Sequence, residues 1–177
     1  TPAVLAGQFR DLARELRLVP RSSSSLTMTT ITLPEGYGYV VLTSAVAPFV
    51  TNMMMGGPVM GARKKFGVPY PNLYATPGVH KEADAFNRVQ RGHQNMFETL
   101  PHVMSFALIG GLKHPYACSL GAICFCVGSW LFLKGYADEA LDVKTARYKK
   151  GGGIKHIGTI LCMGCTISFA GSLLKWW

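Results

Sequence analysis

Long apolar runs separated by short polar segments dominate this chain. The runs cover about Tyr37 to Ala62, Asp84 to Lys113, Tyr116 to Tyr136 and Ile154 to Leu174. At a rise of about 1.5 Å per residue, a helix of each length could cross a hydrocarbon core of about 30 Å. The pattern predicts an all-α protein, namely an integral membrane four-helix bundle that contacts the lipid bilayer.

The residues before the first run differ from the rest. Residues 1 to 34 contain four arginines and the serine run Ser22 to Ser25, whereas all four predicted helices lie within residues 35 to 177. Such a basic segment is typical of a presequence or of a surface arm, although Asp11 and Glu15 are atypical of a presequence. We expect an N-terminal arm or extension followed by one membrane domain.

Composition agrees with the membrane class. Hydrophobic residues make up 49% of the 177 residues, and charged residues only 15%, where soluble proteins have about 25%. The net charge is +9, and a strongly positive net charge is also typical of nucleic-acid-binding proteins. The basic residues lie between the apolar runs, as in loops beside a bilayer, so we expect no nucleic-acid partner.

The positions of the basic residues also predict an orientation. The loops after the first and third runs hold most of them. Since loops rich in Lys and Arg face the cytoplasm, both loops should lie there, with both termini on the opposite side. The four arginines of the N-terminal arm argue against this orientation.

Two short motifs match known functional motifs only in part, and we interpret both as structural. Cys162-x-x-Cys165 resembles half of a zinc or redox motif, but it lies in an apolar run without a neighbouring polar shell, which favours helix packing. The triple glycine at residues 151–153 is not followed by Gly-Lys-Ser/Thr, as a phosphate-binding loop would be. We interpret it as a flexible connector.

One face of the second predicted helix is ionic. At 100° per residue its polar side chains fall within an arc of roughly 80°; they are Arg88, Arg91, Asn95, Glu98 and His102. Charge inside a bilayer is costly unless it is paired or lines a wet cavity, so the stripe is either a ligand site or a structural ion-pair network with neighbouring helices. Since Arg can hold a carboxylate and Glu an ammonium, the ligand would be a small zwitterion.

The sequence gives little support for a metal site or for a catalytic nucleophile among its own side chains. His93 and His102 lie on opposite sides of the predicted helix and cannot share one ion without ligands from other helices. All five cysteines lie in apolar runs, away from any histidine that would stabilise a thiolate. We therefore predict no metal site.

The motifs around the ionic stripe resemble those of a known family. Residues 88–101 read Arg-Val-Gln-Arg-Gly-His-Gln-Asn-Met-Phe-Glu-Thr-Leu-Pro, residues 62–71 read Ala-Arg-Lys-Lys-Phe-Gly-Val-Pro-Tyr-Pro, and the third helix ends in Lys-Gly-Tyr. This set resembles the MAPEG family of membrane glutathione-dependent proteins, over about Gly36 to Trp177. The N-terminal arm lies outside the resemblance.

The resemblance implies a homotrimer that binds glutathione between adjacent subunits, near the cytoplasmic surface. By their motif positions, the residues expected to hold glutathione are Arg63, Arg91, Asn95, Glu98 and Tyr136. The family's thiolate-stabilising arginine has no counterpart at its expected spacing after Tyr136, where Val143 stands. Lys144 and Arg147 are the candidates for that catalytic cation.

The implied activity is that of a glutathione transferase or peroxidase. Its second substrate would be a lipophilic electrophile or a lipid hydroperoxide that arrives from the bilayer. The membrane of the endoplasmic reticulum is the expected location, with a mitochondrial membrane as the alternative. A different function also fits: a non-catalytic accessory subunit of a larger membrane complex, docked through the N-terminal arm.

Overall fold

The computed structural model describes residues 32–176, and all of the regular secondary structure within them is helical. Five helices lie in one unit, Leu33–Trp177. They are α1 (Tyr37–Phe66), α2 (Ala83–Gly110), α3 (Pro115–Tyr136), α4 (Val143–Lys149) and α5 (Ile154–Leu173). The predicted N-terminal arm lies outside the described residues except for residues 32–34.

Helix α1 continues four residues beyond the predicted end at Ala62. Its last turn contains Arg63, Lys64 and Lys65. Their positive charges interact favourably with the negative end of the helix dipole. Gly67 then takes a left-handed conformation with φ of 64°, which glycine adopts without steric cost. The basic cluster therefore belongs to the helix and does not end it.

A π-helical turn interrupts α1 near its start. It spans Leu42–Val46 and precedes Pro48, which has no backbone N–H to donate. Side-chain hydroxyls bond to carbonyls one turn earlier, at 2.6 Å from Ser44 to Val40 and 2.9 Å from Thr51 to Ala47. These short polar side chains are thus satisfied inside an apolar helix.

Three of the five helices are long and apolar enough to cross a membrane, namely α1, α3 and α5. Their outward faces expose large apolar side chains, including Phe49 of α1, Leu120 of α3 and Ile157 of α5. Apolar surface of this extent is unfavourable in water and favourable in lipid. Within residues 32–176, α2 does not meet the same limit on apolar content, because its first half is polar.

Helix α3 is central and contacts the other four helices. The turn at residues 111–114 joins it to α2, and Pro115 occupies its first turn, where the missing N–H has no cost. Gly121 packs against α5: a Cβ there would lie 2.8 Å from the carbonyl oxygen of Gly158 and 2.5 Å from Cys162 Sγ. Gly128 packs against α5 in the same way, since a Cβ there would lie 2.2 Å from the backbone nitrogen of Lys155.

Cys162 serves packing, as predicted. It is buried, and its Sγ lies 3.5 Å from the Cys118 carbonyl oxygen. Both cysteines belong to a buried cluster that includes Val40, Ala107 and Ala122. Neither forms a disulfide.

The triple glycine is a packed turn, so its interpretation as a flexible connector is wrong. A Cβ on Gly152 would lie 2.1 Å from the carbonyl oxygen of Arg147 and 2.8 Å from Cα of Phe132. Gly151 has φ of 88°, which other residues rarely adopt. The glycines let α4 and the start of α5 lie directly against α3.

Candidate functional site

Helix α2 carries both a buried apolar face and the ionic stripe. The buried face includes Phe86, Val89, Met96 and Val103. Arg91, Asn95 and Glu98 lie at its edge: Arg91 and Asn95 are half-buried and Glu98 is exposed. This position lets the polar groups contact neighbouring helices while solvent still reaches them.

Arg91 and Glu98 form an ion pair within α2, two turns apart. Arg91 Nη1 donates to Glu98 Oε1, and Nη2 donates to Oε2 at 3.1 Å. The side chains are 42% and 41% exposed, so solvent screening keeps the stabilisation small. The pair lies within one helix, and solvent reaches both of its charged groups.

Asn95 connects the pair to α5. Its Nδ2 donates to Glu98 Oε2 at 3.4 Å, and its Oδ1 accepts a hydrogen bond from Lys155 Nζ at 2.7 Å. Lys155 is only 1% exposed, and its ammonium lies 5.4 Å and 5.1 Å from the ring centroids of Phe125 and Phe132. Cation–π attraction from two rings partly replaces the lost hydration.

Lys155 was missed as a site residue. In the sequence it stands between the triple glycine and an apolar run, so it appeared to be the last residue of a polar loop. The available signal was its place after Ile154, inside the first turn of a helix that is otherwise apolar. A lysine there must either reach solvent or find a buried partner.

Arg88 has a structural role, although periodicity places it on the same stripe as Arg91. Its guanidinium donates to three backbone carbonyls, that of Tyr136 at the end of α3 at 2.7 Å and those of Asp138 at 2.6 Å and Leu141 at 3.1 Å in the segment that follows. Carbonyls at a helix end need such donors. Arg88 thereby fixes the start of the segment that leads to α4.

A cleft of about 500 Å³ brings Arg91 and Tyr136 together. We call it the Arg91 cleft; it is lined by Tyr74, Asp84, Asn87, Arg88, Arg91, Tyr136 and Val143. The Asn87 side chain exchanges two hydrogen bonds with the backbone of Ala75, at 2.8 Å and 2.9 Å, and so fixes the loop that carries Tyr74. Tyr74 in turn donates its hydroxyl proton to Gln94 of α2.

Arg63 lies apart from the Arg91 cleft within the subunit. It lines a different pocket of about 440 Å³, with Lys64 and Tyr70 among its neighbours. Its Nη1 donates to the carbonyl of Asn72 at 2.8 Å, and its guanidinium lies 4.4 Å from the centroid of the Tyr70 ring. In one subunit, therefore, Arg63 orders the loop after α1 and does not meet Arg91.

Lys144 and Arg147 both lie on α4, a short helix that the sequence did not predict. Lys144 is exposed and Arg147 is half-buried, and neither lines the Arg91 cleft, which Val143 of the same helix does. The segment before α4 is held by Asp138, whose carboxylate accepts from Lys150 at 2.7 Å and from the Ala140 amide at 3.1 Å. The Lys150 ammonium, with that amide, lowers the pKa of Asp138.

His93 has a structural partner on α1. Its Nε2 lies 2.7 Å from Asn52 Oδ1, and its ring packs edge-on against Phe97. Across residues 32–176 no group of three His, Cys, Asp or Glu side chains is placed to hold a metal ion.

An apolar groove of about 530 Å³ runs between α1 and α3. It shares no lining residue with the Arg91 cleft. Its lining is Leu42, Thr43, Val46, Ala47, Val50, Thr51, Met54, Ile123, Cys126, Val127 and Trp130. Several of these are apolar side chains on the outward face of the molecule, including Leu42, Val46 and Val50.

The model of one protein family matches most of the chain. It is described as the MAPEG family, and the match covers residues 41–174. Both Arg91 with its cleft and the buried Lys155 lie within the matched range.

Proposed function

The chain belongs to the MAPEG family and is an integral membrane protein; from this premise we propose that it is a membrane-bound glutathione transferase or peroxidase. The family includes glutathione transferases and related proteins. The proposal is carried by the solvent-accessible Arg91–Glu98 pair beside the Arg91 cleft. A carboxylate can replace Glu98 at Arg91, and an ammonium can replace Arg91 at Glu98. Glutathione carries both groups.

The donor set of the site fits glutathione. Arg91 would hold a carboxylate, Glu98 the ammonium, and Asn95 a backbone-like amide or carboxylate oxygen. Tyr136 supplies an aromatic wall, and the cleft volume of about 500 Å³ lies in the range of small-molecule sites, about 300–1,000 Å³.

The chemistry supplied by bound glutathione is that of its thiolate, which attacks an electrophilic carbon or reduces a hydroperoxide. This chain's part is to hold the peptide and to place a cation near the sulfur, which lowers the thiol pKa. We assign that role to Arg147 or Lys144 of α4, because Val143 places this helix at the Arg91 cleft. The cation would act by electrostatic stabilisation.

The lipophilic second substrate would enter from the bilayer. The apolar groove between α1 and α3 opens toward the lipid-facing side of those helices and would accept an acyl chain. The separation of this groove from the ionic cleft within one subunit supports a site completed by a second subunit.

We assign the protein to a homotrimer whose glutathione sites lie between subunits. Arg63 supports this arrangement, since within its own subunit it lies in another pocket from Arg91. Its charge would then serve the site of a neighbouring copy. Within the family, the motifs resemble those of microsomal glutathione S-transferase 3, which favours the endoplasmic reticulum membrane with the end of α2 that carries Arg91 toward the cytoplasm.

Equilibrium binding of glutathione to the detergent-solubilised protein tests the proposal. We expect saturable binding and a thiolate absorbance band at neutral pH, and we expect Arg91→Ala to weaken binding by about tenfold or more, the loss of a charge-assisted hydrogen bond. Lys149→Ala, which removes an exposed cation of α4 that does not line the cleft, is the matched control. Equal affinity of Arg91→Ala and the parent would refute the site.

A second candidate function is that of an accessory subunit of a larger membrane complex, with a mitochondrial membrane as its location. It is favoured by Val143, which occupies the cleft position where the family's cation is expected, and by residues 1–40, which lie outside the family match. Native mass measurement of gently solubilised protein distinguishes the two. A trimer alone that binds glutathione supports the enzyme, and a stoichiometric larger assembly supports the accessory subunit.

A further inference from the structure

Lys155 is a buried cation with a specific partner in the proposed site. At 1% exposure it has lost nearly all of its hydration, which is costly unless the charge is compensated. Among the described residues the hydrogen-bond acceptor of its ammonium is Asn95 Oδ1, at 2.7 Å. The rings of Phe125 and Phe132 flank the ammonium.

This contact determines how the Asn95 amide is oriented. An ammonium has donors and no acceptor, so the atom facing Lys155 must be the amide oxygen, and the NH₂ group must point the other way. There it lies 3.4 Å from Glu98 Oε2. The amide of Asn95 therefore presents donors, and no acceptor, toward Arg91 and Glu98.

The backbone beneath Lys155 is fixed by close packing. A Cβ on Gly128 of α3 would lie 2.2 Å from the Lys155 nitrogen and 2.7 Å from its Cα. The residue therefore sits directly on α3, and its side chain extends from a fixed point between two rings of the same helix. A flexible surface lysine could not hold one amide orientation in this way.

We infer that Lys155 is a positioning residue that orients Asn95 as a hydrogen-bond donor, so that the site selects a ligand with an acceptor oxygen at that place. This inference rests on the proposed function, and it adds which chemical group of glutathione meets Asn95: a peptide carbonyl or a carboxylate, and not an N–H. Lys155 acts through Asn95 and does not touch the ligand.

The first experiment needs no glutathione. Thermal unfolding in detergent is measured for Lys155→Met, Asn95→Ala and the double variant, with Lys149→Met as the charge control. If Lys155 holds Asn95, the two changes are coupled, and Asn95→Ala shifts the Tm less in the Lys155→Met background than in the parent. Additive Tm shifts would overturn the contact, whether or not the protein binds glutathione.

The second experiment measures glutathione affinity and the division between KM and kcat. We expect Lys155→Met to raise the Kd and the KM for glutathione about tenfold with little change in kcat, because the amide can then turn. Asn95→Asp keeps a partner for Lys155 but replaces the NH₂ donor by an acceptor, so the affinity for glutathione should fall to the same extent.

The outcomes separate the two proposals. A parent protein that binds no glutathione refutes the proposed function, and the Tm coupling still decides whether Lys155 holds Asn95. A parent that binds glutathione, with Lys155→Met or Asn95→Asp binding equally well, overturns the positioning role alone. Should Lys155→Met fail to fold, Asn95→Asp carries the same decision.

Discussion

The guanidinium of Arg91 and the carboxylate of Glu98 face each other across two turns of α2, joined by two hydrogen bonds. Residues seven apart lie close to the same face of a helix, so the pair forms without help from another helix. The two side chains are 42% and 41% exposed, so solvent reaches both charged groups.

This arrangement predicts a selective effect of Glu98→Gln. Binding of glutathione should weaken by about tenfold, because its ammonium loses a charged acceptor. Binding of N-acetylated glutathione, which has no ammonium, should stay equal or become tighter, since Arg91 is released from its internal partner. Calorimetric titration with both compounds checks this; parallel losses for the two ligands would show that Glu98 does not hold the ammonium.

Arg88 and Arg91 should differ in what they stabilise. Arg88→Ala removes three hydrogen bonds to carbonyls at and beyond the end of α3. We expect a loss of about 2 kcal/mol or more in unfolding free energy, or about 4–8 °C in Tm. Arg91→Ala breaks an exposed pair and should cost at most about 1 kcal/mol. Thermal unfolding in detergent compares them, and equal Tm shifts would contradict the separate roles.

The difference between these two arginines shows what the sequence could and could not establish. Helical periodicity correctly placed both on one face, since side-chain direction follows from residue number alone. Which of them meets backbone carbonyls depends on where α3 ends in space, and spacing within α2 carries no information on that. The ionic stripe was predictable, and its division into structural and ligand-accessible parts was not.

The helices were predicted to different accuracy for similar reasons. The starts of α1 at Tyr37 and α5 at Ile154, and the end of α3 at Tyr136, are confirmed because apolar runs define them. Helix α4 was missed because its seven mostly polar residues are too few to show a helical repeat of apolar positions. Lys155 was missed as a site residue because its acceptor lies 60 residues away in the sequence.

Close packing of α3 on α5 predicts opposite effects of two glycine substitutions. Gly128→Ala would place a Cβ 2.2 Å from the Lys155 nitrogen, and such overpacking costs typically about 1–3 kcal/mol. Gly164→Ala on α5 meets no atom within 4 Å, so helix propensity should leave stability equal or raise it by up to about 1 kcal/mol. Thermal unfolding checks both; a Gly128→Ala protein as stable as the Gly164→Ala protein would contradict the packing.

Arg63 and Arg91 lie in different pockets of one subunit. This separation predicts that subunits without Arg63 and subunits without Arg91 restore glutathione binding when they assemble in one trimer. If each glutathione site takes Arg91 from one subunit and Arg63 from the next, Arg63→Ala and Arg91→Ala homotrimers should both bind weakly. In co-expressed trimers that contain both variants, about a third of the sites should then regain full affinity, because each mixed ring of three has one junction that combines an intact Arg63 with an intact Arg91.

The restored fraction is measured by glutathione titration of trimers carrying two different affinity tags, purified through both. Mixing the separately purified homotrimers without exchange of subunits provides the control and should restore nothing. If both arginines served a site within the same subunit, co-expression would restore nothing either, since every subunit lacks one of them. Full affinity in the Arg63→Ala homotrimer would instead show that Arg63 only orders the loop after α1, through its contacts with Asn72 and Tyr70.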